Sequence, residues 1–379
     1  MRTSVDPALI EQAHRWAVGA DGGESLSLEG LRTAVREHAP LLTDEQLDAV
    51  TASVVARTEG LGRIDELLAD ESTTDVLING PGPVWIERHG QLRRTELVLE
   101  RDEIDLLVER IVAPIGRRAD RSTPIAEGRL ADGSRVHIVL PPVAVDGPCV
   151  AIRRFTAHPF PLAAYGDPEV VRLLRQVVAR GDNVVVSGGT GSGKTSLLNA
   201  LAGEIPDRER VLTVEDAAEL RIPGDHVVRF ECRPPTSDGV GAVDLRQLVR
   251  SALRLRPDRL VVGEVRGGEA FDLLQALNTG HAGSMATCHA NDPPAALRRL
   301  EMLVSVGAPS VPLPAVRELM AAAVDVVVQV SRGAGRSRGV VAVDEVAELG
   351  VDGRLGTRPL VDSGRVIDHP HRPSRRPSP

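Results

Sequence analysis

Eight consecutive residues, Gly188-Gly189-Thr190-Gly191-Ser192-Gly193-Lys194-Thr195, constrain this chain more than any other stretch. They read G-x-x-x-x-G-K-[ST], preceded by a β-branched run from Asn183 to Ser187 and followed by a helix-forming segment to Gly203. Four glycines let the backbone curl so that successive N–H groups point inward at phosphate oxygens, and the helix that starts near Lys194 adds its positive dipole end. In that frame Gly188, Gly189, Thr190, Gly191, Ser192 and Gly193 cradle the phosphates of a nucleotide. Lys194 bridges the β- and γ-phosphates and the Thr195 hydroxyl ligates Mg²⁺. The cofactors expected are therefore ATP and Mg²⁺. Lys194 is also the only lysine in the chain, against 44 arginines.

A phosphate loop says only that a nucleotide binds; hydrolysis also needs carboxylates beside it. Two strand ends supply them. Val211 to Val214 runs into Glu215-Asp216, with Glu219 just beyond, and Leu260 to Gly263 runs into Glu264. In an open parallel sheet the ligand lies outside the carboxyl ends of the strands, so both acids arrive beside the loop. Gly263 occupies the position where such a strand usually ends in a metal-binding aspartate. We take Glu264 as the base that orients the attacking water, and Glu215 as a second acid near the Mg²⁺. The spacing by itself also allows the reverse, and a strand-end cap is the structural alternative for either residue.

The 379 residues divide by pattern into five stretches. Residues 1–59 carry ten acidic residues against five arginines and form a helical N-terminal appendage. Thr43 with Gln46 has the form of a capping box there, and Leu47, Val50 and Val54 follow at helical spacing. Residues 60–155 alternate short apolar runs with turn signals and one amphipathic helix at Ile104, Leu107, Val108 and Ile111, the pattern of a smaller α+β domain. Residues 156–166, with Pro159 and Pro161, read as a linker. Strands and helices then alternate through 167–350, which predicts an α/β fold: a helix-covered, mostly parallel, twisted sheet. The stretch 351–379, rich in Arg and Pro, is expected to be disordered.

Composition removes several classes. Aromatics are 2% of the chain, so the core is aliphatic. No stretch has the roughly 18 uncharged apolar residues that a spanning helix needs, and the first residues lack a leader-like apolar segment, which points to the cytoplasm. Three scattered cysteines, Cys149, Cys232 and Cys288, make neither a disulfide framework nor a zinc knuckle. A net charge of -8 and few aromatics argue against direct nucleic-acid binding. That charge also weighs against the first alternative, a helicase or conjugative DNA pump on the same core. The second alternative is a nucleotide-gated scaffold with little turnover; it has less need of a positioned base.

Taken in order, these pieces resemble the bacterial type II/IV secretion system ATPase family, in its tight-adherence (Flp) pilus assembly branch. The likeness rests on Gly188 to Thr195, on Glu215-Asp216-Ala217-Ala218-Glu219-Leu220, on Leu255 to Arg266 with its missing aspartate, and on Asn278-Thr279-Gly280-His281 with Thr287-Cys288-His289-Ala290-Asn291. Upstream, Asp75 to Gly80, Leu130 to Val136 and Ile152 to Phe155 are similar to the family's N-terminal domain, so the resemblance spans about residues 60 to 350. It implies a homo-hexameric ring of RecA-like P-loop motor domains powering pilus assembly or protein secretion. The ring would work through inner-membrane platform proteins, as a peripheral assembly at the inner face of the cytoplasmic membrane. It further implies that His281 and His289 sense the γ-phosphate, and that Arg135, Arg153 and Arg154 of the N-terminal domain contact phosphates, with Arg117 and Arg118 as weaker candidates. The structural alternatives are histidines hydrogen-bonded within the fold and solvated surface arginines.

Overall fold

A computed structural model describes residues 7–17, 28–88, 90–154, 160–235, 240–332 and 338–376. The chain forms two compact units, Met1–Thr156 and Ala157–Pro379, and each is treated by itself.

The first unit begins with three helices, α1 (Pro7–Ala17), α2 (Leu28–His38) and α3 (Asp44–Glu59). Their contact residues include Leu31, Val35, Leu47, Val50 and Val54. The start of α3 is a reciprocal capping box: Gln46 N–H donates to Thr43 Oγ1 at 3.2 Å, and Thr43 N–H to Gln46 Oε1 at 3.0 Å. A short helix α4 (Asp65–Ala69) leads into β1 (Thr73–Asn79), β2 (Gly82–Arg88), β3 (Gln91–Leu99), α5 (Arg101–Val112), β4 (Ile125–Arg129), β5 (Arg135–Val139) and β6 (Cys149–Arg153). These strands form one antiparallel sheet in the order β3-β2-β1-β6-β5-β4. Val76 and Ile78, Val84 and Ile86, Val136 and Ile138, and Val150 and Ile152 stand two apart and share one buried cluster with Ile104, Leu107 and Ile111 of α5. The alternate positions, Arg135 and Arg153 among them, project from the opposite face.

The second unit opens with a 3₁₀ turn at Leu162–Tyr165, followed by α6 (Pro168–Ala179), β7 (Val184–Gly188), α7 (Lys194–Ala202), β8 (Val211–Glu215) and β9 (Val227–Glu231). Then come α8 (Leu245–Ala252), β10 (Arg259–Val262), α9 (Glu269–Asn278), β11 (Met285–His289), α10 (Pro293–Gly307) and α11 (Leu313–Ala323). The unit closes with β12 (Val326–Arg332), β13 (Arg338–Leu349), β14 (Leu355–Asp362) and β15 (Arg365–Val366). The nine strands lie in the order β15-β14-β13-β12-β7-β11-β10-β8-β9. From β12 to β9 the pairing is parallel, and β13, β14 and β15 extend the sheet antiparallel. Alternate residues of one strand serve opposite layers: Val184 and Val186 pack with α6 and α7, whereas Val185 packs with α8 to α11.

Two expectations need correction. Residues 156–159 of the expected linker lie outside the described residues, but Leu162 and Tyr165 are buried in the second unit's core at 3% and 1% exposure. Their apolar side chains anchor that part of the segment. The second concerns the stretch from residue 351, which is ordered as far as Arg376. Leu360 and Val361 of β14 are fully buried, and the arginines that suggested disorder neutralise acids of the sheet. Arg372 Nε lies 3.4 Å from Asp325 Oδ1, Arg375 pairs with the same carboxylate, and Arg376 pairs with Glu209. Asp325 and Glu209 are 4% and 6% exposed, so these cations help compensate their buried charges, at Glu209 together with Arg259 at 2.6 Å.

Candidate active site

Strand β7 is buried along its whole length and ends at Gly188, where a side chain has no room. A Cβ there would stand 2.5 Å from both Ser192 Oγ and the Val330 carbonyl oxygen. Gly191 and Gly193 follow with φ of +70° and +96°, left-handed values that glycine adopts without strain. Gly193 precedes α7 without a side-chain cap, so the first N–H groups of the helix remain available to an anion. Within the loop, Ser192 Oγ is buried and has no hydrogen-bond partner.

Parallel register brings the next groups to the same edge. Because β11 pairs with β7 as His289 opposite Gly188, His289 arrives at the loop. Strand β10, paired with β11 as Val262 opposite Ala286, delivers Glu264 just past its end. The turn that follows is held by Thr287 Oγ1 donating to the Gly263 carbonyl at 2.7 Å and by Val265 N–H donating to the Thr287 carbonyl at 2.9 Å. Lys194 Nζ donates to the Gly189 carbonyl at 2.9 Å and lies 3.3 Å from His289 Nε2. His289 Nε2 is 3.5 Å from Glu264 Oε1, and Glu264 Oε2 accepts from Arg266 at 2.7 Å. Arg266 in turn is 3.5 Å from Asp216 Oδ2.

The charges in this row set its protonation. Burial pushes the Lys194 ammonium below its ordinary value, against the pull of Glu264. Burial raises the Glu264 carboxyl, but the Arg266 hydrogen bond and the charges of Arg266, His289 and Lys194 outweigh it and hold the group below the usual carboxylate range. Burial, then the Lys194 charge, lowers the His289 imidazole. At neutral pH the row therefore presents an ionised carboxylate, a neutral imidazole and an ammonium.

Glu215 behaves differently. It is 2% exposed, and its two oxygens accept the Glu219 N–H at 2.8 Å and the Leu220 N–H at 3.0 and 3.2 Å. Burial outweighs those hydrogen bonds and pushes its carboxyl up to about 7. The same side chain accounts for Gly263, because a Cβ at that position would come within 2.9 Å of Glu215 Cγ. An acid whose folded value is raised binds more protons folded than unfolded, so its contribution to stability is complete at low pH and is lost as pH rises toward 7. Between about pH 4.5 and 7 we expect unfolding free energy to fall by up to about 1.4 kcal/mol per pH unit through this group. In denaturant titrations across that window Glu215→Gln should show a smaller loss than the wild type; identical slopes would remove the assignment.

The other expected site residues are dispersed. His281 precedes β11 at the end opposite His289, with its Nδ1 3.0 Å from the Pro257 carbonyl oxygen, so the two histidines do not meet. Arg135 and Arg153 are cross-strand neighbours on the open face of the first unit's sheet, and Arg153 Nε lies 3.6 Å from Asp75 Oδ1. Arg154 donates to the backbone carbonyls of Asp70 and Thr73, the latter at 3.1 Å, and so ties the end of β6 to the turn that leads into β1. Arg118 pairs with Asp120 at 2.7 Å. Cys288 is fully buried, with its thiol pushed up to about 11 chiefly by burial. Among the described residues no cluster of three His, Cys, Asp or Glu could hold a metal by itself. For Mg²⁺ the fitting protein donor is the Thr195 hydroxyl at the start of α7, since the Glu215 carboxyl is committed to backbone amides. Sequence reading assigned no role to Arg266 or Asp216; their spacing of two from Glu264 and one from Glu215 is the only trace they leave.

Comparison with known proteins agrees with the geometry. The pattern of the type II/IV secretion system protein family matches residues 57–347. A Mycobacterium tuberculosis protein bearing a conjugal-transfer name is 40% identical over 311 residues, which span 79% of this chain and 88% of that one. The type IV secretion system protein PtlH of Bordetella pertussis is 34% identical over 299 residues, 71% of this chain and 88% of its own. Among solved structures, the pilus retraction motor PilT with bound ADP superposes with a TM-score of 0.57 at 18% identity, over 79% of this chain and 82% of PilT, and so shares the fold. Among the described residues no helix is long and apolar enough to cross a membrane. With a matched pattern that covers most of the chain and relatives aligned along most of their own length, this protein belongs to the type II/IV secretion system protein family.

Proposed function

We propose that the protein is a Mg²⁺-dependent ATPase working as a homo-hexameric motor with RecA-like second units, driving pilus assembly or secretion through inner-membrane platform proteins at the cytoplasmic face. The observation that carries this reading is the row Lys194, His289 and Glu264 at the mouth of the phosphate loop. Lys194 draws charge from the β- and γ-phosphates. Glu264, ionised at neutral pH, orients the attacking water and accepts its proton. His289, neutral and in reach of both, reports the presence of the γ-phosphate. Thr195 would hold the Mg²⁺, which would supply charge neutralisation there. Glu215 serves as the brace of the loop after β8. Arg135 and Arg153 are the N-terminal arginines with guanidinium groups suited to phosphate charge; Arg154 keeps a structural role.

The family match and the PtlH relative support a secretion role, and the tight-adherence (Flp) branch is our reading of the motif order. The conjugal-transfer name of the mycobacterial relative favours a second reading, a DNA-transfer apparatus. With a net charge of -8, force applied through protein partners suits this chain better than a direct grip on DNA. Mass photometry with and without Mg-ATP tests the ring: a six-chain particle is expected with nucleotide, and a strict monomer under every condition would overturn it.

A further inference from the structure

The β12–β13 hairpin brings Arg338, the first residue of β13, to the same sheet edge as the phosphate loop, because β12 runs parallel to β7 and Arg338 pairs with Arg332 at its end. Its side chain lies against the loop. A Cβ on Gly193 would come within 2.6 Å of Arg338 Cδ, and Arg338 Nη1 is 3.5 Å from Ser196 Oγ in the first turn of α7. Its guanidinium carbon stands 5.7 Å from the centre of the Phe160 ring, which is 52% exposed. No carboxylate among the described residues pairs with it.

This is an unfavourable position for a lone cation. The start of a helix carries partial positive charge, so a guanidinium beside it is repelled unless an anion lies between them. The sheet order identifies that anion. Strand β7 sits between β11 and β12. The groups suited to the γ-phosphate, His289 and Glu264, come from β11 and β10 on one side. A nucleotide threaded through the loop must therefore send its other end toward β12 and β13, where Arg338 waits.

We infer that Arg338, supported on the face of Phe160, binds the α-phosphate of a nucleoside di- or triphosphate. The inference rests on the nucleotide reading of the loop. A planar fork on one non-bridging oxygen is stereoselective, whereas a point charge is far less so. The test measures ADP affinity and the preference between the Rp and Sp isomers of ATPαS, in which one α-oxygen is sulfur, for the wild type, Arg338→Ala and Arg338→Lys. Arg338→Ala should weaken ADP about tenfold or more, the scale of one lost charge-assisted contact, and should flatten the isomer preference. Arg338→Lys should recover part of the affinity but not the preference, a split that a merely structural role would not produce. Wild-type ADP affinity in Arg338→Ala, an unchanged isomer preference in it, or a wild type that shows no preference would each overturn the contact. A wild type that binds ADP, with that binding weakened by Lys194→Ala but untouched by Arg338→Ala, would overturn this inference alone. A wild type that binds no nucleotide would overturn the loop's reading and this one with it.

Discussion

Lys194→Ala should reduce ATP turnover by about 10²–10³-fold or more, the range found when one preorganised charge partner is removed from a transition state. The argument starts from burial. Lys194 is 7% exposed, and its ammonium is stabilised by the Gly189 carbonyl and Glu264 rather than by water. Without it, charge developing on the β- and γ-phosphates loses its nearest cation, and Glu264 loses a neighbour that helps keep it ionised. The fold should survive, because alanine is the best helix former at the first position of α7 and, among the described residues, His289 is the amine's only side-chain hydrogen-bond partner. Phosphate release and a thermal melt on the same sample separate the two effects. Unchanged hydrolysis would sink the assigned site. Because this is the only side-chain amine in the chain, an acylating label also reads it directly, and Mg-ATP should protect it.

Glu264→Gln should bind ATP and stall, with turnover down about 10²–10⁴-fold, the span of general base catalysis. Glutamine keeps the shape and can still accept from Arg266, so the row stays assembled while the proton acceptor is lost. The pH profile then distinguishes the two candidate acids. A base must be deprotonated, so rate falls as pH drops through its pKa. Glu264 is held below its ordinary value, so its acid limb lies well on the acid side and leaves the profile level near neutrality. Glu215 titrates at about 7, and a base of that kind would halve the rate there. An acid limb centred near 7 that disappears in Glu215→Gln would move the catalytic role to Glu215.

Much of the fold was legible locally. The capping box at Thr43, the apolar spacing of Leu47, Val50 and Val54, and the β-branched runs at Val184, Val211 and Leu260 each carry their pattern within a few residues. The antiparallel end of the large sheet was not legible. Strand β14 contains Gly356, Arg358 and Pro359, and its partner Glu345 is buried against Arg358, so its polar residues read as solvated until the strand beside them is known. The arginines of the last residues misled for the same reason: their acids, Asp325 and Glu209, lie 50 and 167 residues away in the chain. Edge strand β3, with Arg93 and Arg94, also lacks the clean alternation that marked its neighbours.

At the candidate site the sequence alone determined the loop, its lysine, and the arrival of two acids at strand ends. Those facts follow from covalent spacing and from the glycine that a tight turn demands. Only the tertiary structure placed Glu264 beside the loop and Glu215 away from it, showed how closely Glu215 crowds Gly263, brought His289 rather than His281 to the loop, and set Arg338 against it. Each depends on burial and on register between strands distant in sequence. Glu215 and Glu264 both follow apolar strands; one is sealed against backbone amides, the other held between an arginine, a histidine and a lysine. Protonation is set by those surroundings, and no local pattern encodes them.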